Sequence, residues 1–138
     1  MTNQVQQAHT AADLATESTE QARAAVQTQI IECLNRFYAL ESGMWGDPIS
    51  SLMIRTILQG ELQGRRFDLT ALAGTLNIPV ATVHRRIAAL VQAGYIHRAR
   101  DSKSVYLEPT ERTCVQFNRS FNEMLRTLRR LYYQADIR

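Results

Sequence analysis

The sequence predicts a mainly α-helical protein with a small β-wing, and three observations lead to this fold class. Two apolar stripes at helical spacing occupy residues 68–93 and are separated by a tight turn at Asn77 and Pro79. Gly94 follows, and then come two short alternating segments joined by a polar tip at residues 101–104. Longer helical patterns flank this stretch on both sides. Together they predict a winged helix-turn-helix core between long N- and C-terminal helices.

The two short helices of the core have clear start and stop signals. Asp68 is a good N-cap, because its carboxylate can accept hydrogen bonds from the unpaired amides of the first turn. That helix should end near Asn77. Pro79 disfavours the helical conformation at Ile78 and suits a helix start, so the second helix should cover residues 80–93.

The face of this second helix opposite its apolar stripe is suited to DNA. It has small residues where the backbone would approach the bases of a major groove, and a cation one turn further on. Alone, two arginines on a helix face are more simply a solvated surface, but the hairpin that follows adds cations able to reach the sugar-phosphate backbone or minor groove. The candidate DNA-binding residues are Ala81, Thr82, His84, Arg85 and Arg86 on the helix, with Arg86 expected to meet phosphate or solvent, and Arg98, Arg100 and Lys103 on the wing.

The chain before the core begins with a polar segment and continues as a long helix. Residues 1–16 are rich in Gln, Thr and Ala, and we expect a flexible tail or a frayed helix start. Residues 17–138 should form a single winged-helix domain. Its first helix covers residues 17–42 and should end at Ser42 and Gly43.

A further helix should connect this first helix to the core. Asp47 and Pro48 open it as N-cap and first helical residue. Its apolar residues should form the back wall of the core, and Gly60 and Gly64 should break it. Residues 65–67 can then supply a short strand that pairs with the wing.

The last helix, residues 111–133, carries a heptad-like apolar seam, and the helix at residues 17–42 carries a similarly wide face. The two seams can pack on each other within one subunit, or they can be buried between subunits. Because a small core at residues 47–107 cannot cover both, their width favours a homodimer in which both are dimerisation helices. The seam of the last helix consists of Cys114, Phe117, Phe121, Met124, Leu128 and Leu131.

Positive charge collects on the segment assigned to DNA, although the whole chain has a net charge of only +3. Residues 1–64 hold three cations against seven acids, whereas residues 65–105 hold seven cations against two acids. Residues 106–138 hold six against four. Such a basic patch binds phosphate through the release of counterions.

The segment LAGTLNIPVATVHRRIAALVQAGYI resembles the DNA-binding core of MarR-type winged-helix transcriptional regulators, and RARDSKSVYLEPTERT is similar to their wing and the entry to their next helix. With the flanking helices, the resemblance covers roughly residues 20–135. It implies a sequence-specific, double-stranded DNA-binding regulator whose terminal helices form a homodimer. Two positions depart from the family pattern. The Asp-x-Arg wing tip is Asp101 and Lys103 here, and Pro79 stands where a Ser or Thr often begins the recognition helix.

Two other function classes stay open at this stage. The resemblance implies that DNA binding can be the output of a small-molecule or redox sensor; Cys33 is the candidate redox residue, although a thiol in an apolar seam is normally inert. A protein-interaction adaptor with the same fold would lack cations on its wing and recognition face. A ligand pocket could be lined by Phe37, Tyr38, Met44, Trp45 and Met53, for which ordinary core packing is the simpler interpretation.

Several classes are disfavoured. We find no nucleophile-base-acid arrangement and no phosphate-binding glycine loop, so we expect neither an enzyme nor a cofactor. Cys33 and Cys114 have neither zinc-ligand nor disulfide-framework spacing, so no metal is expected. No apolar run is long enough to cross a membrane, and the N-terminus lacks the basic-then-apolar order of a signal peptide, so we expect a cytoplasmic location and no membrane partner.

Overall fold

The computed structural model describes the backbone of residues 2–136 and the side chains of residues 11–133. The described residues divide between two compact units, residues 2–36 with 124–136 (unit 1) and residues 37–123 (unit 2). The mainly helical fold class with a two-stranded wing is confirmed. The elements in chain order are α1 (Thr2–Trp45), α2 (Pro48–Leu62), α3 (Leu69–Leu76), α4 (Val80–Gln92), β1 (Ile96–Asp101), β2 (Ser104–Pro109) and α5 (Glu111–Asp136).

The apolar core of unit 2 is built from α2, α3, α4 and the wing. Each of these elements contributes side chains with almost no exposed surface, and burying a side chain of this size contributes about 1.5–3 kcal/mol. The core therefore fixes where α4 and the wing lie with respect to α2. Its most deeply buried apolar members are Met53, Ile54, Ile57, Leu72, Val83, Ile87 and Ile96.

The turn between α3 and α4 forms as the sequence predicts. The Asp68 carboxylate accepts a hydrogen bond of 2.7 Å from the backbone N–H of Ala71. Asn77 ends α3 in the left-handed conformation, with φ at 54°. Pro79 is the N-cap of α4, and its side chain makes no capping hydrogen bond. The two helices are consequently joined by a turn of only three residues.

The wing is an antiparallel hairpin in which Arg98 pairs with Leu107 and Arg100 pairs with Val105. The short strand expected at residues 65–67 is reduced to a single β-bridge between Phe67 and Leu107. In this bridge the N–H of Leu107 donates to the Phe67 carbonyl oxygen over 2.8 Å. The bridge attaches the base of the wing to the end of α2.

The prediction that Gly60 breaks α2 is wrong, because the helix continues to Leu62. Gly60 is nevertheless required for packing. A Cβ atom there would lie 2.5 Å from the Arg65 carbonyl oxygen and 2.7 Å from the Phe67 ring. The chain folds back over Gly60 so closely that a side chain has no room. Gly74 in α3 has nothing within 4 Å of the corresponding position.

Helix α1 is longer than predicted at both ends. Its backbone is helical from Thr2 rather than from residue 17, since Ala and Gln are good helix formers. Gly43 does not end it, because α1 runs on to Trp45 and Gly46 follows with φ at +89°. The mobility predicted for residues 1–16 is a separate property and stays a prediction. Helix α5 likewise passes residue 133 and ends at Asp136.

Three buried polar side chains of unit 2 have different surroundings. Thr113 has no exposed surface and its hydroxyl donates to the Tyr95 carbonyl oxygen over 2.7 Å. Ser51 is equally buried, but its hydroxyl has no partner within the described residues. Glu41 pairs with Arg55 over 2.7 Å, and burial raises the pKa of the Glu41 carboxyl even though Arg55 opposes the shift.

Unit 1 contains the first part of α1 and the last part of α5. Cys33 and Thr127 are its buried residues in the described part of the chain. Several large side chains of the predicted seams are instead exposed to solvent by 45 to 65%. The exposed large apolar side chains of unit 1 are Leu14, Ile30, Ile31, Leu34, Leu128, Tyr132 and Tyr133.

Candidate DNA-binding surface

One face of α4 is exposed along the length of three helical turns. The exposed residues follow the spacing one, three, one, three, one and three, which places them along one side of the helix, with Val80 at its edge next to the buried side. Thr82 and Arg86 are only half-exposed and lie at the edges of this face. We call the exposed face the α4 stripe; it consists of Val80, Ala81, His84, Arg85, Ala88, Ala89 and Gln92.

The two arginines of α4 have different surroundings. Arg86 forms an ion pair with Asp47, the N-cap of α2, with 2.8 Å between the guanidinium and carboxylate atoms. Asp47 also accepts hydrogen bonds from the N–H and hydroxyl of Ser50. These bonds, assisted by the charge of Arg86, hold the pKa of the Asp47 carboxyl below its usual value. Arg86 therefore holds α4 against the start of α2.

Arg85 and His84 take no part in this ion pair. Both are exposed, and neither has a hydrogen bond or an ion pair within the part of the chain that the structure describes. Thr82, also a candidate, is half-buried beside them. Of the two adjacent arginines that the sequence predicts for the DNA surface, Arg85 is thus unpaired among the described residues and Arg86 is paired.

The wing has two faces with different charge. Because side chains alternate along a strand, Arg98 and Arg100 share one face with Val105 and Leu107. Lys103 occupies the turn between the strands. These three cations are exposed, and none of them forms an ion pair or hydrogen bond among the described residues.

Two acidic side chains lie on the other face of the wing, and both pair with Arg66. Its guanidinium lies 2.7 Å from Glu108 and 3.5 Å from Asp101, and it stacks 4.7 Å from the centre of the Tyr106 ring. His97 also approaches Glu108, at 3.1 Å. The hydrogen bond from Arg66 holds the pKa of the Glu108 carboxyl below its usual value.

Arg66 was not among the candidate residues. The pairing of residues 65–67 with the wing could have indicated its role. When Phe67 pairs with Leu107 in an antiparallel bridge, their neighbours Arg66 and Glu108 come to lie side by side. Its effect on the surface is indirect. Because Asp101 and Glu108 pair with Arg66, they do not pair with Arg98, Arg100 or Lys103, which stay available on the wing.

The proposed ligand residues differ widely in burial. Met53 has no exposed surface and Trp45 is 4% exposed; both belong to the core, and the Trp45 indole donates to Gln116 over 3.2 Å. Phe37 is half-buried and Tyr38 is exposed. A small-molecule site at these residues stays a prediction.

The two thiols are both shielded. Burial, with a smaller contribution from the charge of Glu61, raises the pKa of Cys114, which disfavours a reactive thiolate. Cys33 is 7% exposed and lies in a shallow groove of unit 1 together with Arg36, Thr127 and Arg130.

The described residues lack two kinds of feature. No cluster of three or more His, Cys, Asp or Glu side chains there could hold a metal ion. No helix within residues 2–136 is both long and apolar enough to cross a membrane.

Comparison with known proteins identifies the fold. No family model matches the sequence, and no curated protein matches it either. Among solved structures, a MarR family protein from Bacillus stearothermophilus is 14% identical, with a TM-score of 0.58 over 81% of this chain and 77% of that chain. RV1404 from Mycobacterium tuberculosis is 17% identical, with a TM-score of 0.55 over 80% of this chain and 78% of that one. Ligand-free NadR is 21% identical, with a TM-score of 0.50 over 80% and 73%. At such identities the likeness concerns the fold, and this chain has the winged helix-turn-helix fold of MarR-type proteins.

Proposed function

We propose that this protein is a sequence-specific, double-stranded DNA-binding transcriptional regulator that acts as a homodimer. In this proposal α4 enters the major groove and the wing contacts the backbone or the minor groove. One observation carries it. Arg85, Arg98, Arg100 and Lys103 are exposed and unpaired within the described residues, whereas Arg66 and Arg86 beside them are neutralised by acids.

This distribution of charge is suited to a polyanion. An exposed cation without an acid partner can take a phosphate without first giving up an intramolecular ion pair. If all four such cations of each subunit contact phosphate, a dimer neutralises eight phosphates, and the logarithm of affinity should fall against the logarithm of salt concentration with a slope of about −7. If Arg85 instead contacts a base, the slope should be about −5.

The homodimer is proposed from the apolar surface of unit 1. Among the side chains described in unit 1, a single subunit leaves seven large apolar ones exposed by 45 to 65%, which is unfavourable in water. A second copy of the chain would bury equivalent residues of both subunits at once. Two-fold symmetry would then require a near-palindromic site whose half-sites lie about 10 base pairs apart.

A protein-interaction adaptor that does not read DNA would not need unpaired cations on both α4 and the wing, so this alternative is less well supported. Neither the ligand sensor nor the redox sensor has a specific observation in its favour, since Met53 and Trp45 are core residues and Cys33 is buried. A small-molecule effector would act on the DNA-binding regulator proposed above, and its existence is a separate question.

The test is selection of duplexes from a random-sequence DNA library by the full-length protein. We expect an enriched, near-palindromic sequence and a complex with the mass of two subunits. Its salt dependence is then measured by fluorescence anisotropy. A variant with alanine at Arg85, Arg98, Arg100 and Lys103 should lose nearly all affinity, whereas Arg23→Ala on α1, an exposed cation outside both elements, should retain it. No enrichment, or equal binding by both variants, would refute the proposal.

A further inference from the structure

The α4 stripe contains few groups that can form hydrogen bonds. His84, Arg85 and Gln92 carry them, whereas Val80, Ala81, Ala88 and Ala89 are apolar. Val80 is the largest of these apolar residues. It is the first residue of α4 and is half exposed. A recognition helix with this composition can read part of its site by apolar contact.

The position of Val80 on α4 suits such a contact. In helix-turn-helix proteins the N-terminal residues of the recognition helix contact base edges. The preceding residue, Pro79, caps α4 without a side-chain hydrogen bond, so no capping side chain folds over the helix start. A valine side chain is stiff about its first torsion, so it loses little freedom on contact.

The major groove offers one apolar group to such a side chain. Guanine, cytosine and adenine present hydrogen-bond donors and acceptors there, and only thymine adds a 5-methyl group. An apolar side chain pressed against a donor or acceptor would leave it without water or a partner, which is unfavourable. Thymine is therefore the base that Val80 can accept without this penalty.

We propose that Val80 is a specificity-determining residue that contacts the 5-methyl group of one thymine in each half-site. The inference rests on the proposed function and adds a residue that helical spacing alone did not select. On an ideal helix Val80 lies near the buried side of α4. It is nevertheless half exposed at the start of the helix.

The experiment removes the methyl group from the DNA and its partner from the protein. The probe is the duplex enriched by selection from the random library. Each symmetry-related pair of thymines is replaced in turn by deoxyuridine, which lacks only the methyl group. Binding of the wild-type protein and of Val80→Ala is measured for every duplex, with thermal unfolding as a check that the variant is folded.

The wild-type protein should lose affinity at one thymine position by about fourfold per half-site, or about sixteenfold for two half-sites, as expected for loss of one buried methyl-sized group. Val80→Ala should bind thymine and deoxyuridine equally at that position. The matched control is Val115→Ala on α5, where a valine of similar exposure is truncated. It should keep the wild-type preference.

Two outcomes would overturn the inference, and they are distinguishable. If Val80→Ala keeps the wild-type ratio of thymine to deoxyuridine affinity at every position, Val80 does not read the methyl group and the proposed function still stands. If the library yields no enriched sequence at all, both the inference and the proposed function are wrong.

Discussion

Truncating two adjacent arginines of α4 should produce two different defects. Arg85 is exposed and has no partner among the described residues, whereas Arg86 is paired with Asp47 over 2.8 Å. We expect Arg85→Ala to weaken DNA binding without changing the free energy of unfolding. We expect Arg86→Ala to lower the free energy of unfolding and to have little effect on DNA binding. The two substitutions remove the same side chain and differ only in its surroundings.

The magnitudes follow from those surroundings. A bidentate contact from arginine to guanine is worth about 1–3 kcal/mol, so Arg85→Ala should cost about 5- to 150-fold in affinity per half-site. The side chains of Arg86 and Asp47 are 31% and 51% exposed, and ion pairs with this exposure contribute about 0.2–1 kcal/mol. Asp47 would retain its hydrogen bonds to Ser50, so its carboxylate would not be left without partners.

Urea unfolding and anisotropy measurements on the selected duplex separate the two defects. The protein has one tryptophan, Trp45, which is 4% exposed, so its fluorescence reports unfolding. If Arg86→Ala loses as much affinity as Arg85→Ala while keeping wild-type stability, ion pairing does not decide which cation serves DNA. That result would refute the reasoning.

Three further predictions concern stability. Gly60→Ala should destabilise the fold by about 1–3 kcal/mol because the added Cβ has no room. Gly74→Ala should stabilise it by up to about 1 kcal/mol, because the added Cβ meets nothing and alanine is the better helix former. Equal urea midpoints for the two variants would contradict this prediction. Thr113→Val should lower the free energy of unfolding by about 1–3 kcal/mol, because the Thr113 hydroxyl has a hydrogen-bond partner. Ser51→Ala should leave the free energy of unfolding unchanged or raise it, because the Ser51 hydroxyl has none among the described residues. A loss of stability in both variants would show that Ser51 has a partner after all. Glu41→Gln should gain stability relative to the wild type as pH rises from about 4, the usual glutamate value, through the raised native pKa of Glu41. The native state holds that proton more tightly than the unfolded state, so the free energy of unfolding of the wild type falls relative to that of the variant over this pH range. A stability difference between the two proteins that does not change with pH would contradict a raised pKa for Glu41.

Much of the fold could be predicted because its signals are local. Asp68, Asn77 and Pro79 act on backbone groups a few residues away, and they place the helix boundaries of the core correctly. The errors arose where a distant contact overrides a local signal. The local signal of Gly60 predicts a helix break, but the helix continues and the Phe67 ring packs against the glycine.

The candidate site shows the same division. Periodicity was enough to find Arg85 on the exposed face of α4 and three cations on the wing. It could not reveal that Arg86 is paired with Asp47, 39 residues earlier in the chain. Nor could it assign Arg66 to Glu108, which is 42 residues away.

By itself, the sequence determined the order of helices and strands, the apolar stripes and the segment in which positive charge collects, because caps, turns and periodicity act between near neighbours. The tertiary structure decided which of those charges remain available, since an ion pair depends on distance in space between residues far apart in the chain. It also decided that Val80 is exposed at the start of α4, because exposure depends on what the rest of the fold leaves uncovered.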